Sequence, residues 1–146
     1  MTAPLNIVQQ SCLVLSQGGV LLHPTETCYG FAVDAMNHEA IHRLYVLKKM
    51  LLSKPSSIMV SSLETAEEYG EFSEIARKLA REFWPGPLTL IVPRRNLPDF
   101  LNPESATIGI RVPDHDFVLE LLRAYPAPLI TTSANVSSRP EAYETG

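Results

Sequence analysis

The sequence predicts one α/β domain over residues 1–146, with helices and strands arranged as a mixed sheet in three layers. Its length and its 45% content of hydrophobic residues suffice for one continuous core. Short apolar runs alternate with amphipathic segments at the spacing typical of α/β proteins. Polar residues follow the ends of several predicted strands, where α/β sheets usually bind their ligands. We therefore expect a single domain whose binding site lies at strand ends.

Composition excludes several classes of protein. The net charge of −4 and the pI near 5.5 argue against a general nucleic-acid binder, although local basic clusters remain compatible with them. The sequence has neither an apolar run of about 18 residues nor a signal-peptide pattern, so we expect a cytosolic protein without a membrane anchor. Cys12 and Cys28 lack a metal or redox spacing, which favours thiols over a disulfide.

Apolar residues at helical spacing, together with capping residues, predict the helices. With their caps, the predicted helices cover residues 4–17, 37–49, 61–69, 73–83 and 114–125. Asn37, Ser73 and Asp114 are the expected N-caps of three of them. Ser61 and Glu64 have the spacing of a capping box, in which each side chain bonds the other residue's backbone amide.

Apolar runs bounded by Gly and Pro predict strands over residues 20–22, 31–33, 57–60, 88–92, 107–112 and 128–132. Alternation in the fifth run is the most informative. It places Ile108, Ile110 and Val112 toward a core, and Thr107, Gly109 and Arg111 together on the opposite face. The missing side chain at Gly109 leaves room for a ligand between a hydroxyl and a guanidinium. The alternative is an outer strand with an exposed arginine.

The bend after the first strand is the first candidate site. Thr25, Glu26, Thr27 and Tyr29 place three hydroxyls and a carboxyl where the strand ends. The alternative is an ordinary turn that starts at proline and whose threonines bond their own backbone. Cys28 is a weak candidate nucleophile, since no histidine is near it in sequence.

A lysine cluster follows the second predicted helix. Lys48, Lys49 and Lys54 could anchor a polyphosphate, although a helix C-terminus attracts lysines through its dipole alone. The sequence has no Walker-type loop and no Gly-x-Gly-x-x-Gly, so a nucleotide would be bound by another device. The four histidines are scattered, and we predict no metal held by the protein; Mg²⁺ would arrive with a nucleotide.

Five of these stretches, in this order, resemble the signatures of the YrdC/Sua5 family of threonylcarbamoyl-AMP synthases. They are residues 24–30, 48–55, 83–89, 109–115 and 132–135. The resemblance implies a YrdC/RibB-like fold, in which helices flank a twisted mixed sheet with a concave cavity. It implies a cytoplasmic nucleotidyltransferase that joins L-threonine, bicarbonate and ATP into threonylcarbamoyl-adenylate and releases pyrophosphate. The product would serve N6-threonylcarbamoyladenosine formation at position 37 of tRNA, completed by a separate transferase.

The resemblance also assigns roles to individual residues. It implies that L-threonine is held by Thr27, Arg111 and Thr131, with Arg111 pairing with the carboxylate. It implies that ATP is held by Lys54, Thr107, Ser133 and Asn135. Lys48, Lys54 and Arg111 are the expected catalytic residues. The reaction needs positioning and charge neutralisation more than a nucleophile.

The sequence departs from the family pattern at three places. Met50 stands where the family usually has the arginine of a Lys-x-Arg loop, so activity about ten- to a hundredfold weaker is expected unless Lys49 substitutes. Ser138 stands where a glycine often occurs, and Gly146 precedes a last strand and helix expected of a full family domain. These departures leave open a non-catalytic RNA- or nucleotide-binding module, or a related carbamoyl-transfer domain.

Overall fold

The computed structural model of the chain describes residues 6–25, 28–49 and 55–133, without the side chain of Ser133. The helices are α1 (Ile7–Ser16), α2 (His38–Lys48), α3 (Leu63–Tyr69), α4 (Glu74–Phe83) and α5 (Asp116–Ala124). The strands are β1 (Leu21–Pro24), β2 (Tyr29–Asp34), β3 (Ser57–Met59), β4 (Leu90–Pro93), β5 (Thr107–Arg111) and β6 (Leu129–Ser133). Within these ranges no helix is long and apolar enough to cross a membrane.

All six strands join one mixed sheet in the order β1-β2-β6-β3-β5-β4. β3 and β5 run parallel, and the other neighbouring pairs run antiparallel. β6 enters the sheet between β2 and β3, so the last strand in sequence joins the N-terminal hairpin to the rest of the sheet. The predicted α/β architecture with a mixed sheet flanked by helices is confirmed.

One face of the sheet is apolar and buried from β2 to β4 in the strand order, whereas Leu22 of the edge strand β1 is 47% exposed on this face. Its strand residues include Val33, Ile58, Ile110 and Ile130, all at most 2% exposed. They pack with buried residues of α2, α3 and α4 in the larger of two core clusters. As predicted from alternation, Ile108, Ile110 and Val112 all belong to this core. Burial of this apolar layer supplies the main driving force for folding.

The opposite face, which we call the second face, is divided into two halves. Ala32, Met59 and Leu129 form its apolar half and are covered by residues of α1 and α5 in the second core cluster. The polar half carries Ser57, Arg111 and other polar residues beyond the cover of those helices. A layer of helices therefore protects only part of this face, and the remainder forms the floor of a cavity.

Helix N-caps follow the prediction at two helices and differ by one residue at two others. Asn37 and Ser73 each accept a hydrogen bond from the backbone three residues on. Prediction of a capping box at Ser61 was wrong by one residue, because Ser62 is the N-cap and accepts from the amide of Thr65 at 3.2 Å. The α5 cap was also misplaced: His115, rather than Asp114, is its N-cap.

The proline-rich connection between β4 and β5 is held by one arginine. Arg94 donates to the carbonyl of Pro98 at 2.8 Å, to that of Leu101 at 2.5 Å and to that of Asn102 at 3.0 Å. A guanidinium has five donors in a planar fork, so it can satisfy several carbonyls at once. Arg94 thereby orders a segment that has no helix or strand of its own.

Asn102 connects that segment to the start of β3. Its side chain accepts from the amide of Ser56 at 2.8 Å and donates to the carbonyl of Ser56 at 2.8 Å. Ser56 also shares a 2.9 Å hydrogen bond with the hydroxyl of Tyr45 on α2. Asn102 is 5% exposed and adopts a φ of 48°, which asparagine tolerates better than most residues.

Replacement Asn102→Asp should therefore lower stability. The carboxylate can still accept from Ser56, but it leaves the Ser56 carbonyl facing a second acceptor in a buried place. We expect a loss of about 1–3 kcal/mol in the free energy of unfolding, measured by chemical denaturation. Asn96→Asp is the matched control, because Asn96 also has a positive φ and donates to a backbone carbonyl, but is exposed. Equal losses in the two variants would contradict the role given to burial.

Candidate functional site

A cavity of about 480 Å³ opens over the polar half of the second face. Its described lining residues come from the β1–β2 hairpin, from β3, β5 and β6, and from the segment before β4. They are Thr25, Cys28, Tyr29, Gly30, Ser57, Pro87, Thr89, Arg111, Thr131 and Thr132. Hydroxyl groups dominate this lining, and its one described charged side chain is a guanidinium. The cavity is therefore suited to a small polar ligand that carries an anionic group.

Arg111 is half-buried in the cavity wall. Its Nε donates to the carbonyl of Gly86 at 3.1 Å, and the amide of Gly86 donates to the carbonyl of Val112 at 2.9 Å. A Cβ at position 86 would lie 2.3 Å from the carbonyl oxygen of Phe83, so this turn requires glycine. Burial lowers the pKa of Arg111, yet a guanidinium stays protonated in proteins. The turn after α4 thus holds a permanent positive charge in the cavity.

Gly109 leaves room for a protein side chain. A Cβ at this position would lie 2.6 Å from Oγ of Ser57 and 3.2 Å from a methyl carbon of Thr89. Ser57 pairs with Gly109 across the parallel β3–β5 ladder. The space that the sequence analysis assigned to a ligand is therefore bordered closely by these two side chains, and both of them line the cavity.

Lys48 lies at the C-terminal end of α2 and is 5% exposed. Its Nζ donates to the side-chain oxygen of Thr132, which lines the cavity. The ammonium group therefore reaches the cavity wall from the helix side of the sheet. Lys49, by contrast, is exposed and caps α2 with a left-handed φ of 56°. The two lysines have different environments although they are adjacent in sequence.

The β1–β2 bend combines the two interpretations left open by the sequence. The hydroxyl of Thr25 donates to the carbonyl of Cys28 at 2.7 Å and accepts from its amide at 3.2 Å. Thr25 therefore bonds the backbone of its own turn, as the alternative proposed. It also lines the cavity together with Tyr29. Glu26 and Thr27 lie outside the described residues.

Of the predicted site residues, Arg111 and Thr131 line the cavity and Lys48 contacts its wall. Thr107 is exposed at the start of β5, where its hydroxyl lies 3.2 Å from that of Ser105, and it does not line the cavity. Ser133 pairs with Gly30 through the backbone of β6. Lys54 and Asn135 lie outside the described residues. Their roles in binding ATP stay predictions.

Two lining residues were not predicted. Thr89 lies in a stretch that resembles the family signatures but received no role, and Ser57 belongs to a segment interpreted only as a strand. The detectable signal was strand alternation: Ser57 would have been placed on the second face once β3 was paired with β5. In the described ranges, no three His, Cys, Asp or Glu side chains are grouped so as to hold a metal ion. There, Cys12 and Cys28 form no disulfide.

The chain is similar to known proteins both in sequence and in structure. A threonylcarbamoyl-AMP synthase from Bacillus subtilis is 35% identical over 138 residues, which are 91% of this chain and 39% of that protein. One from Pseudomonas syringae is 34% identical over 92% of this chain and 74% of that protein. The crystal structure of P. abyssi Sua5 complexed with L-threonine matches with a TM-score of 0.87 at 31% identity, over 92% of this chain and 40% of that one.

The chain spans about two fifths of the B. subtilis and P. abyssi proteins that it matches. A family model named for Sua5, YciO and YrdC, and described as telomere recombination, matches residues 13–146. This match covers most of the sequence and includes every strand that forms the cavity. The chain belongs to the Sua5/YciO/YrdC family.

Proposed function

We propose that this chain forms threonylcarbamoyl-adenylate from L-threonine, bicarbonate and ATP, with release of pyrophosphate. The observation that carries the proposal is the Arg111 guanidinium, half-buried in a cavity lined by hydroxyl groups. The match to a Sua5 structure complexed with L-threonine supports it. The relatives named threonylcarbamoyl-AMP synthase support it further.

Arg111 would bind the carboxylate of threonine. Charge-assisted hydrogen bonds from a guanidinium are short and strong, and a fixed guanidinium can bind a carboxylate through two of them. The Gly86 carbonyl accepts from Nε, and this contact fixes the plane of the group. Thr131, with Ser57 beside it across the β3–β6 ladder, offers hydroxyls for the rest of the amino acid. Thr27 would complete this pocket.

ATP would bind toward the Lys48 side of the cavity. Lys48 would neutralise phosphate charge near Thr132, aided by Lys54 and by the predicted ATP-binding residues Thr107, Ser133 and Asn135. No carboxylate is among the described residues that line the cavity, so the site fits a metal held by the protein poorly. Mg²⁺ would arrive bound to the phosphates of ATP.

The chemistry follows from this placement. The amino nitrogen of threonine attacks the carbon of bicarbonate, and water leaves to give a carbamate. A carbamate oxygen then attacks the α-phosphorus of ATP, and pyrophosphate leaves. Arg111 and Lys48 would hold the reacting groups together and offset their negative charge. The reaction would take place in the cytoplasm, and its product would serve tRNA modification by a separate transferase.

Pyrophosphate release tests the proposal directly. With ATP and Mg²⁺ present, we expect release only when both threonine and bicarbonate are added, because the carbamate must form before the phosphorus is attacked. The measurement is a coupled pyrophosphate assay on the purified protein. Salt-sensitive RNA binding without any threonine-dependent turnover would instead favour the non-catalytic alternative.

Arg111→Gln should raise the KM for threonine about ten- to a hundredfold, because a charge-assisted pair with the carboxylate is lost. The KM for ATP should change much less. Steady-state kinetics with each substrate varied in turn gives the comparison. Arg95→Gln is the control, since Arg95 is exposed and lies 3.9 Å from Glu71, away from the cavity. Equal effects of the two substitutions on the KM for threonine would contradict the assignment.

Met50→Arg tests the departure from the Lys-x-Arg pattern. If the missing guanidinium limits the reaction, the turnover rate or the affinity for ATP should rise, by up to about a hundredfold. Steady-state kinetics at varied ATP concentration measures both quantities. Unchanged kinetics would mean that Lys49 already substitutes for the arginine, and Lys49→Ala in the native background should then reduce the affinity for ATP.

A further inference from the structure

His23 is a buried histidine on the same face as the cavity. It pairs with Gly30 across the β1–β2 hairpin and is 1% exposed. Its Nδ1 lies 3.1 Å from the carbonyl oxygen of Pro24. A carbonyl oxygen can only accept a hydrogen bond, so Nδ1 carries the proton that it donates. In the neutral ring, Nε2 is then an acceptor with an unshared electron pair.

Nε2 of His23 lies beside the cavity wall. A Cβ on Gly30 would be 3.2 Å from this nitrogen and 3.0 Å from the carbonyl oxygen of Thr132, and Gly30 itself lines the cavity. A side chain at position 30 would thus crowd the imidazole. Because position 30 is glycine, Nε2 of His23 is the side-chain polar atom nearest to this part of the cavity wall.

Three positively charged or ionisable groups share this environment. Burial lowers the pKa of His23; the hydrogen bond to the Pro24 carbonyl opposes this shift, the charges of His115 and Arg111 add to it, and the net shift is downward. The ring of His115, at the N-cap of α5, also has a buried nitrogen, Nδ1, without a partner in the described part of the chain. A second proton on His23 is therefore disfavoured, and its Nε2 remains an acceptor at neutral pH.

Nε2 of His23 has no hydrogen-bond partner among the described residues. A buried acceptor left without a donor loses its hydrogen bonds to water without replacement, so such atoms usually bind a ligand or a water. A zwitterionic amino acid whose carboxylate pairs with Arg111 carries the missing donor chemistry, in its ammonium group and, for threonine, in its hydroxyl. Arg111 in the cavity wall thus offers a cation for the anionic group, and Nε2 of His23, directly behind the wall at Gly30, is an acceptor for the donor group.

We propose that Nε2 of His23 is a further substrate-binding atom, which accepts a hydrogen bond from the ammonium or hydroxyl group of the amino acid held by Arg111. The assignment rests on the proposed function for the identity of the ligand. It gives His23 a role in selecting amino acids, since a site with a buried acceptor rejects ligands that leave it unpaired.

Calorimetric titration of L-threonine, L-serine and L-valine against three proteins tests the proposal. His23→Phe removes the acceptor and keeps the ring volume, and His42→Phe is the control, since His42 is exposed and does not line the cavity. We expect threonine to bind His23→Phe about tenfold more weakly than the native chain. His42→Phe should bind it normally. Valine has the shape of threonine but no hydroxyl group. Comparing the two ligands therefore shows whether the ammonium or the hydroxyl group donates to Nε2.

If His23→Phe weakens the binding of all three amino acids equally, the ammonium group is the donor. If it weakens the binding of threonine and serine only, the hydroxyl group is the donor. Unchanged binding of all three would mean that a resident water occupies Nε2, which overturns the proposal. Ring-nitrogen NMR of the native chain gives a test that needs no variant: threonine should shift the Nε2 resonance of His23. Binding without that shift overturns this assignment alone, whereas no binding of any amino acid overturns the proposed function as well.

Discussion

The structure depends on the unequal cover of its sheet. Side chains alternate between the two faces of a strand, and one face is buried from β2 to β4 in the strand order by α2, α3 and α4. The second face is buried only where α1 and α5 pack on Ala32, Met59 and Leu129. The same strands continue beyond that cover, where this face carries Ser57, Thr131 and Arg111, which line the cavity. The cavity therefore lies over the part of this face that the helices do not cover.

The two cations at the cavity are held by hydrogen bonds from the protein. Arg111 donates to the backbone carbonyl of Gly86, and Lys48 donates to the hydroxyl of Thr132. Both contacts orient the cations and offset part of their desolvation. Among the described residues, the carboxylate of Asp34 accepts a hydrogen bond from the hydroxyl of Tyr125 at 2.6 Å. The carboxylate of Glu67 forms an ion pair with Arg77 of α4. Neither of these two carboxylates is among the described residues that line the cavity.

Local features were predictable from the sequence and long-range ones were not. Alternation placed Ile108 and Ile110 in the core and Arg111 on the opposite face, because strand geometry fixes that relation over neighbouring residues. Cap positions were wrong by one residue at α3 and α5, where several polar residues compete for the N-cap. Lys48 and Thr132 are 84 residues apart, and no local rule connects them. The resemblance to a known family supplied the candidate roles that local rules could not.

Three glycines connect the backbone geometry of the cavity with its chemistry. At position 30 a Cβ would crowd His23, at position 109 it would crowd Ser57, and at position 86 it would collide with the carbonyl of the preceding helix. In each case the absent side chain makes room for a polar group, or a turn, that serves the cavity. Replacing any of the three with alanine would displace that neighbour while leaving every proposed contact residue intact. Loss of function by such a route would reflect altered positions rather than lost chemistry, which is why binding measurements on the His23 and Arg111 variants are more informative than substitutions of these glycines.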